Sequence, residues 1–374
     1  MKICIIGISG YGRVHYHHMT RAHAAGEVEL VGATVINQEE EAEKCAELRA
    51  LGCRLFDDYT VMLREVADLA DVCVIPTGTP LHRSMTVAAL EAGMHVFVEK
   101  PAAGSLEDVQ AMRDAAQKAI RRVAVGYQHL YSEAAIAAKH HLLRGTLGEL
   151  TSIKCLVTWP RGHSYYARNG WAGKLTVQGT AVKDSPFNNA VAHDLMMMLF
   201  LAGTRERAAA TPVSVDARLY RANEIESADT ASLRIETEEG IPLHFYCTHA
   251  CRERFGPEIQ VRGTAGTLVM THKGAVISPS DGDPIDLPVE EDTRDRMFRA
   301  AFDAFRGGDS FICDLEMASR QTQVVEMAHR AGEIQTVPAI TVQDESPGDL
   351  TLIPGIESAL RQAFEAEGLA ELVF

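Results

Sequence analysis

The 374-residue chain lacks several things, and each absence excludes a class of protein. No apolar run approaches the roughly 18 residues of a membrane span, so no spanning helix is expected. The first apolar stretch, Lys2–Ile6, stops at Gly7, too short for a signal-peptide core, and a cytoplasmic protein is expected. The 8 cysteines stand at positions 4, 45, 53, 73, 155, 247, 251 and 313, and none form a CxxC pair. A chain this long needs no disulfide staples, so reduced thiols are expected. Positive charge is scarce: 36 Lys+Arg against 51 Asp+Glu leave a formal charge of −15. Such a surface repels phosphate backbones and anionic lipid, and no local basic patch is visible to offset it. Neither nucleic acid nor membrane is therefore expected as a partner. There is no internal repeat, low-complexity stretch or flexible linker.

What is present is ordinary globular composition, 46% hydrophobic and 23% charged residues. At roughly 100–200 residues per domain, two domains are expected. Short apolar runs at Lys2–Ile6, Val28–Ile36, Arg54–Phe56, Asp71–Ile75, His95–Val98 and Arg122–Val125 alternate with helical stretches at Val14–Ala25, Glu39–Leu51, Tyr59–Ala70, Ser84–Ala92 and Ser105–Ala119. This βαβα alternation predicts a doubly wound parallel sheet over residues 1–126. Ser105-x-x-Asp108 reads as a capping box with Asp in the Glu position. Beyond the helix Glu133–Arg144 the period changes to two: Leu150–Thr158, Pro212–Tyr220, Ser232–Thr237, Leu243–Thr248, Glu258–Arg262, Thr267–Thr271 and Ala275–Ser278. With helices at Asp194–Ala202, Asp295–Arg306, Leu315–Ala331 and Gly355–Glu367, residues 127–374 are expected to form an α+β domain on a mostly antiparallel sheet.

Gly7-Ile8-Ser9-Gly10-Tyr11-Gly12 lies between a strand and a helix. It is a variant of the dinucleotide fingerprint: Gly7 for the tight turn, Gly12 for close helix–strand packing, and a helix N-terminus offering N–H groups to a pyrophosphate. Ser9 stands where a glycine is usual. The acid expected about 20 residues on, at the tip of the second strand, is missing from Ala33-Thr34-Val35-Ile36-Asn37-Gln38. No Arg or Lys is seen nearby to meet a 2′-phosphate either, and Asn37 can bond either ribose form. NAD and NADP both remain open. Glu39, Glu40 and Glu41 read as a solvated helix start favoured by the dipole. Glu99-Lys100-Pro101 ends the fifth strand, where open α/β sheets bind ligands. A lysine there can donate to a substrate oxygen.

The glycine-rich start, Thr77-Gly78-Thr79-Pro80-Leu81-His82, Glu99-Lys100-Pro101, Gly126-Tyr127-Gln128-His129, Gly263-Thr264-Ala265-Gly266-Thr267-Leu268 and Cys313-Asp314-Leu315-Glu316 occur in this order. Together they resemble the Gfo/Idh/MocA (glucose–fructose oxidoreductase / inositol dehydrogenase) family over most of the chain. The resemblance implies a Rossmann domain and an α+β domain whose open sheet commonly forms the oligomer interface, here a homodimer or homotetramer. It implies NAD(P)-dependent hydride transfer at a hydroxyl carbon of a sugar, sugar derivative or cyclitol. The cofactor would lie against Gly7, Ser9, Gly10, Tyr11, Gly12, Asn37, Thr77, His82, Glu99, Lys100 and Gln128. Lys100 matches the family's catalytic lysine and would polarise the reacting oxygen. His193, the histidine opening the active-site helix, would accept the proton. The family's aspartate four residues earlier is Asn189 here. Asp184 stands nine residues earlier and fills that place if the loop carries an insertion. The second family acid is Met196.

The stretch Trp159–Trp171 holds both tryptophans of the chain. Its Arg161, Tyr165, Tyr166, Arg168 and Trp171 suit a polyhydroxylated ligand, rings covering C–H faces and polar tips bonding hydroxyls. A packing or interface loop would look the same. Cys247-x-His249-x-Cys251 offers three soft ligands, but successive same-face strand residues lie about 7 Å apart, too far to share one metal. No metal is expected. Two rival readings stay open: a non-catalytic nucleotide or sugar sensor, and an NAD-retaining lyase or glycosidase-type enzyme.

Overall fold

The computed structural model describes residues 1–288, 292–343 and 348–372. It divides into two compact units, Met1–Gly126 with Arg294–Ser319, and Tyr127–Thr293 with Arg320–Phe374.

The first unit is built on β1 (Lys2–Ile6), α1 (Gly12–Ala24), β2 (Glu29–Thr34), α2 (Ala42–Ala50), β3 (Arg54–Phe56), α3 (Tyr59–Glu65), β4 (Val72–Ile75), α4 (Thr79–Glu91), β5 (His95–Val98), α5 (Leu106–Ala119) and β6 (Val123–Val125). Its strands are parallel in the order β3-β2-β1-β4-β5-β6. Strands covered on both faces read as unbroken apolar runs, as Val72–Ile75 does. The chain winds outward in both directions from β1 and β4, so the loop after β1 sits at the topological switch point.

Local boundaries differ from the sequence reading for identifiable reasons. Helix α2 starts at Ala42 rather than Glu39, because the Glu41 N–H bonds Asn37 O (3.1 Å) and the Asn37 amide donates to Glu40 (2.9 Å), making a turn of residues 37–41. Helix α4 starts at Thr79 rather than Ser84, with Pro80 in its first turn, where no N–H is needed. The Ser105 hydroxyl accepts Asp108 N–H at 3.1 Å, but the Asp108 carboxylate pairs with Arg83 (2.8 Å) instead of closing the box.

The expected second domain, 127–374, is interrupted. Helix α9 (Thr293–Phe305) turns an aromatic face to the first unit: Phe298 packs on Phe97 (4.8 Å between centroids) and His15 (5.3 Å), and Phe305 stacks on His95 (5.1 Å). The Val125 N–H then bonds Cys313 O at 2.8 Å.

The second unit contains α6 (Glu133–Leu143), β7 (Leu150–Thr158), α7 (His163–Tyr166), the hairpin β8 (Thr176–Val177) and β9 (Thr180–Ala181), and α8 (Ala192–Ala202). There follow β10 (Pro212–Arg221), β11 (Thr230–Thr237), β12 (Leu243–Thr248), β13 (Phe255–Gly263), β14 (Gly266–Thr271), β15 (Gly274–Pro279) and β16 (Ile285–Leu287). Helix α10 (Leu315–Ala331) from Arg320 on, β17 (Ile334–Thr336), β18 (Ile340–Val342), β19 (Leu350–Leu352) and α11 (Ile356–Ala366) complete it. Its large sheet has the order β16-β15-β14-β13-β7-β12-β11-β10-β17, antiparallel except where β7 meets β12 and β10 meets β17.

Every residue of α8 is buried. Its last turn is capped by the Lys139 ammonium, itself fully buried, which donates to Phe200 O (2.5 Å), Gly203 O and Ala208 O (3.4 Å). Helices α8 and α11 both pack on β7. Helix α11 is amphipathic, with Ile356, Leu360, Ala363 and Phe364 spaced as one face, and that face joins Leu156, Tyr220 and Tyr246 of the sheet. Ile356, Leu360 and Phe364, fully buried, each contribute about 1.5–3 kcal/mol. Lys154 fixes the helix end through Phe364 O (3.0 Å). The middle of the sheet face that the family resemblance leaves open is thus covered by the chain itself. Among the described residues no helix is long and apolar enough to cross a membrane.

Candidate active site

In the first unit the glycine loop is built by close approach. A Cβ on Gly12 would lie 2.8 Å from Gly7 O, so the start of α1 can meet the end of β1 only through glycine. Gly12 N–H bonds Ser9 O (2.8 Å), and the first turn of α1 carries no acid to repel an anion. The Ser9 hydroxyl donates to Asn37 Oδ1 (3.1 Å), tying the loop to the turn after β2. Sequence reading placed no lysine here, yet Lys44 pairs with Glu41 and approaches Ile8 O at 3.4 Å. Glu39, Glu40 and Glu41 precede α2 instead of opening it. Lys44, with Ser9 and Arg13, holds the Glu41 carboxyl below the usual range. These residues form a cradle suited to a dinucleotide.

Lys100 follows β5, and its neighbours are locked. The Glu99 carboxylate is buried and accepts His15 Nε2 (2.8 Å) and the Lys100 N–H (3.0 Å). Burial pushes this carboxyl up; the His15 hydrogen bond and the charges of His15 and Lys100 outweigh it and hold it below the usual range. Gly126 leaves the room, since a Cβ there would lie 2.8 Å from Glu99 Oε1. His82 is fully buried between Pro101 O (Nδ1, 2.8 Å) and Thr77 O (Nε2, 3.0 Å), so it ties the turn after β4 to the turn after β5. Burial pushes its pKa down.

In the second unit His193 is the second residue of α8, within the helix rather than ahead of it. Its ring lies 4.4 Å from His129 and meets Tyr127 edge-on at 5.8 Å. Tyr127 donates to Gln321 Oε1 (3.1 Å), and the Gln321 amide holds Phe187 O (2.9 Å), one turn before α8. Tyr127 and His129 were visible only as parts of a motif; their role as the frame of His193 was not. Buried Gln128 keeps its Oε1 without a hydrogen-bond partner among the described residues. Met196 lies in the core.

Asp184 and Asn189 come together. The Asn189 amide donates to Asp184 Oδ1 (2.8 Å), while Asp184 Oδ2 accepts Gly173 N–H (2.7 Å) and Arg168 (3.3 Å). Asn189 therefore holds the place four residues before His193, and the buried carboxylate stands behind it.

Asp184 also lines a narrow crevice with Tyr165, Tyr166, Ser185 and His249. Tyr165 carries the Arg161 and Arg168 guanidiniums over its ring, at 4.5 and 3.7 Å from the centroid. Arg168 also reaches Trp171 (5.2 Å), and Arg161 lies over Trp159 at 3.9 Å. The five candidate substrate residues are thus neighbours. Sequence reading missed Arg254, which lies over the same Trp159 at 4.5 Å because β13 runs beside β7 with Phe255 opposite Thr158. This is the local basic cluster that composition concealed. Cys247, His249 and Cys251 do not converge on a metal: His249 Nδ1 bonds Tyr166 Oη (3.3 Å), Cys251 Sγ donates to Thr248 O, and burial pushes both thiols up.

Comparison with known proteins identifies the family. The model of the oxidoreductase family with an NAD-binding Rossmann fold matches residues 1–127, and the GFO/IDH/MocA C-terminal domain matches residues 136–269. An inositol 2-dehydrogenase of Klebsiella pneumoniae (strain 342) is 25% identical over 308 residues, 80% of this chain and 82% of that protein. Glucose-6-phosphate 3-dehydrogenase of Bacillus subtilis is 30% identical over 149 residues, 40% of this chain and 41% of its own. Among solved structures, the WlbA dehydrogenase of Bordetella pertussis, in complex with NADH and UDP-GlcNAcA, superposes with a TM-score of 0.73 at 22% identity, covering 88% of this chain and 96% of that one. The fold, the glycine cradle, the locked Glu99-Lys100 pair and two matching domain models lead to one conclusion: the chain belongs to the Gfo/Idh/MocA family of NAD-binding oxidoreductases.

Proposed function

We propose that the protein transfers a hydride between a nicotinamide cofactor and a hydroxyl-bearing carbon of a sugar, sugar derivative or cyclitol. The observation that carries this reading is Lys100, set at the end of β5 beside a carboxylate that His15 and Gly126 hold in place. Residues Gly7–Gly12, Asn37, Thr77, Glu99 and Gln128 would hold the dinucleotide, with His82 bracing the turns. When bound, it supplies the hydride acceptor or donor. Lys100 donates to the reacting oxygen and favours its loss of a proton. His193 takes that proton, a task suited to imidazole near neutral pH. Asp184 orients the Asn189 amide, whose carbonyl then accepts from a substrate hydroxyl. The sugar-like relatives named above support this substrate class.

A cytoplasmic homodimer or homotetramer is part of the same reading. An interface on the large sheet would use what α11 leaves uncovered, such as the outward Thr267, Val269 and Thr271 of β14.

The test is thermal unfolding with NAD⁺, NADH, NADP⁺ and NADPH, each at about 1 mM, followed by a polyol screen with the pair that stabilises. Ligand at about 100 times its Kd adds about 2.7 kcal/mol. A shift together with substrate-dependent NADH formation is expected. Nucleotide binding without turnover on any polyol would favour a sensor. A reaction with no net NADH change would favour a lyase or glycosidase-type enzyme.

A further inference from the structure

The three guanidiniums at the Trp159–Trp171 loop are poorly neutralised. Arg254, Trp159, Arg161, Tyr165, Arg168 and Trp171 alternate cation and ring in one continuous stack. In a chain of formal charge −15, only Arg168 of the three has a carboxylate partner among the described residues, Asp184 at 3.3 Å. Arg161 is half-buried and its Nε is shut off from solvent with no hydrogen-bond partner there. Like charges held this close repel, and burial and the neighbouring arginines weaken the hold of Arg161 on its proton. Stacking uses the faces of a guanidinium and leaves its in-plane N–H fork available, the geometry that meets a carboxylate or phosphate.

A second, independent observation lies beside it. His249 is buried and its Nε2 has no partner among the described residues; the same holds for Ser185 Oγ. Burial, with Arg161 and Arg168 nearby, pushes the His249 pKa well down, so the ring is neutral. Whichever way the Tyr166–Nδ1 hydrogen bond runs, the neutral ring leaves Nε2 as an unused donor or acceptor. An unmet buried polar group is costly, and a ligand with hydroxyls removes that cost.

We propose that Arg161 and Arg254, with Arg168, bind an oxyanion carried by the substrate, a carboxylate or a phosphate, while His249 and Ser185 bond its hydroxyls. The substrate is then an acidic sugar derivative rather than a neutral polyol. This rests on the sugar-dehydrogenase reading for the word substrate but not for the binding itself.

Both tryptophans belong to the stack, so intrinsic emission reports on this site. The experiment titrates the full chain with inorganic phosphate, glucuronate, glucose 6-phosphate and glucose at constant ionic strength set by NaCl. Glucuronate or glucose 6-phosphate should saturate at a concentration at least tenfold below glucose, and whichever does so assigns carboxylate or phosphate. Arg161→Gln should weaken that response at least tenfold. Arg254→Gln, at an exposed position, should weaken it severalfold with an unchanged circular dichroism spectrum. Equal responses to glucose and both acidic sugars, a response matched by NaCl, or a response intact in both variants would each overturn the proposal. Saturation by phosphate with no gain for either acidic sugar overturns the substrate assignment too. NADH binding is followed separately by thermal shift. Its failure removes the dehydrogenase reading and leaves the oxyanion titration standing; a failed titration with NADH bound does the reverse.

Discussion

The two units prepare for ligands in opposite ways. Around Lys100 in the first unit the charged groups are paired internally, Glu99 by His15 Nε2 and the Lys100 N–H, and His82 is wedged between two carbonyls, while His15 Nδ1 is left unmet among the described residues. In the second unit, Arg161, Ser185 and His249 keep buried polar atoms without partners among the described residues. The difference teaches what each unit waits for. A dinucleotide is held largely by backbone N–H groups and glycine gaps, so the side chains around it serve to hold the loops rigid. A sugar is held by side-chain hydrogen bonds, so its unit carries groups whose partners arrive with the ligand.

The sharpest way to break this contrast is Lys100→Ala. Turnover should fall by about 10²–10⁴-fold while NADH affinity stays within about threefold, measured by steady-state kinetics and direct titration. Equal losses in both would make Lys100 a cofactor-holding residue. Gly12→Ala probes the backbone side. Its Cβ would press on Gly7 O at 2.8 Å, so NADH affinity should drop by about 30-fold or more, read by fluorescence titration, with little change in sugar binding.

Much of the first unit was legible for a simple reason. Parallel strands covered on both faces write themselves as unbroken apolar runs, and the glycine turn is contiguous in sequence. The second unit was legible in its period-two strands and in His193 but not in its site. Arg254 is 93 residues from Arg161 and reaches the stack only through the β13–β7 register. The Asp184–Asn189 bond depends on a loop whose register no motif fixed. Helix α9 looked like part of the second domain because its aromatic face does not announce which core it joins.

Acid probes a buried histidine of the second unit next. Burial, with Lys183 nearby, pushes the His329 pKa down to about 4 from an ordinary 6.5. The unfolded chain therefore takes up a proton first as pH falls, and stability contributed by neutral His329 is lost between about pH 6.5 and 4. Allowing for its partial exposure, about 2 kcal/mol is expected to go, and His329→Gln should flatten that slope in urea melts at stepped pH. His82, His95, His244 and His249 are pushed down in the same direction and keep their share of the slope, so the flattening in His329→Gln is partial.

The smallest effect sharpens the contrast inside the second unit. Asp184→Asn keeps the shape but lets the Asn189 amide turn over. kcat/KM should fall about tenfold, and the fall should appear in KM more than in kcat if Asn189 meets a substrate hydroxyl. Asn189→Asp in that background should restore part of it.

Strand β7 has a history written into its neighbours. Helix α8 packs on it, and α11 packs on it as well. Cys155 is shut away beside Asp194 of α8, while Leu156 belongs to the cluster under α11 and Lys154 holds that helix's end. A strand with one wet face lets mutation drift freely at every second position. From Ser152 to Thr158, this one has no wet face, so a saturation library across it should return a solid block of intolerance in place of the usual alternation.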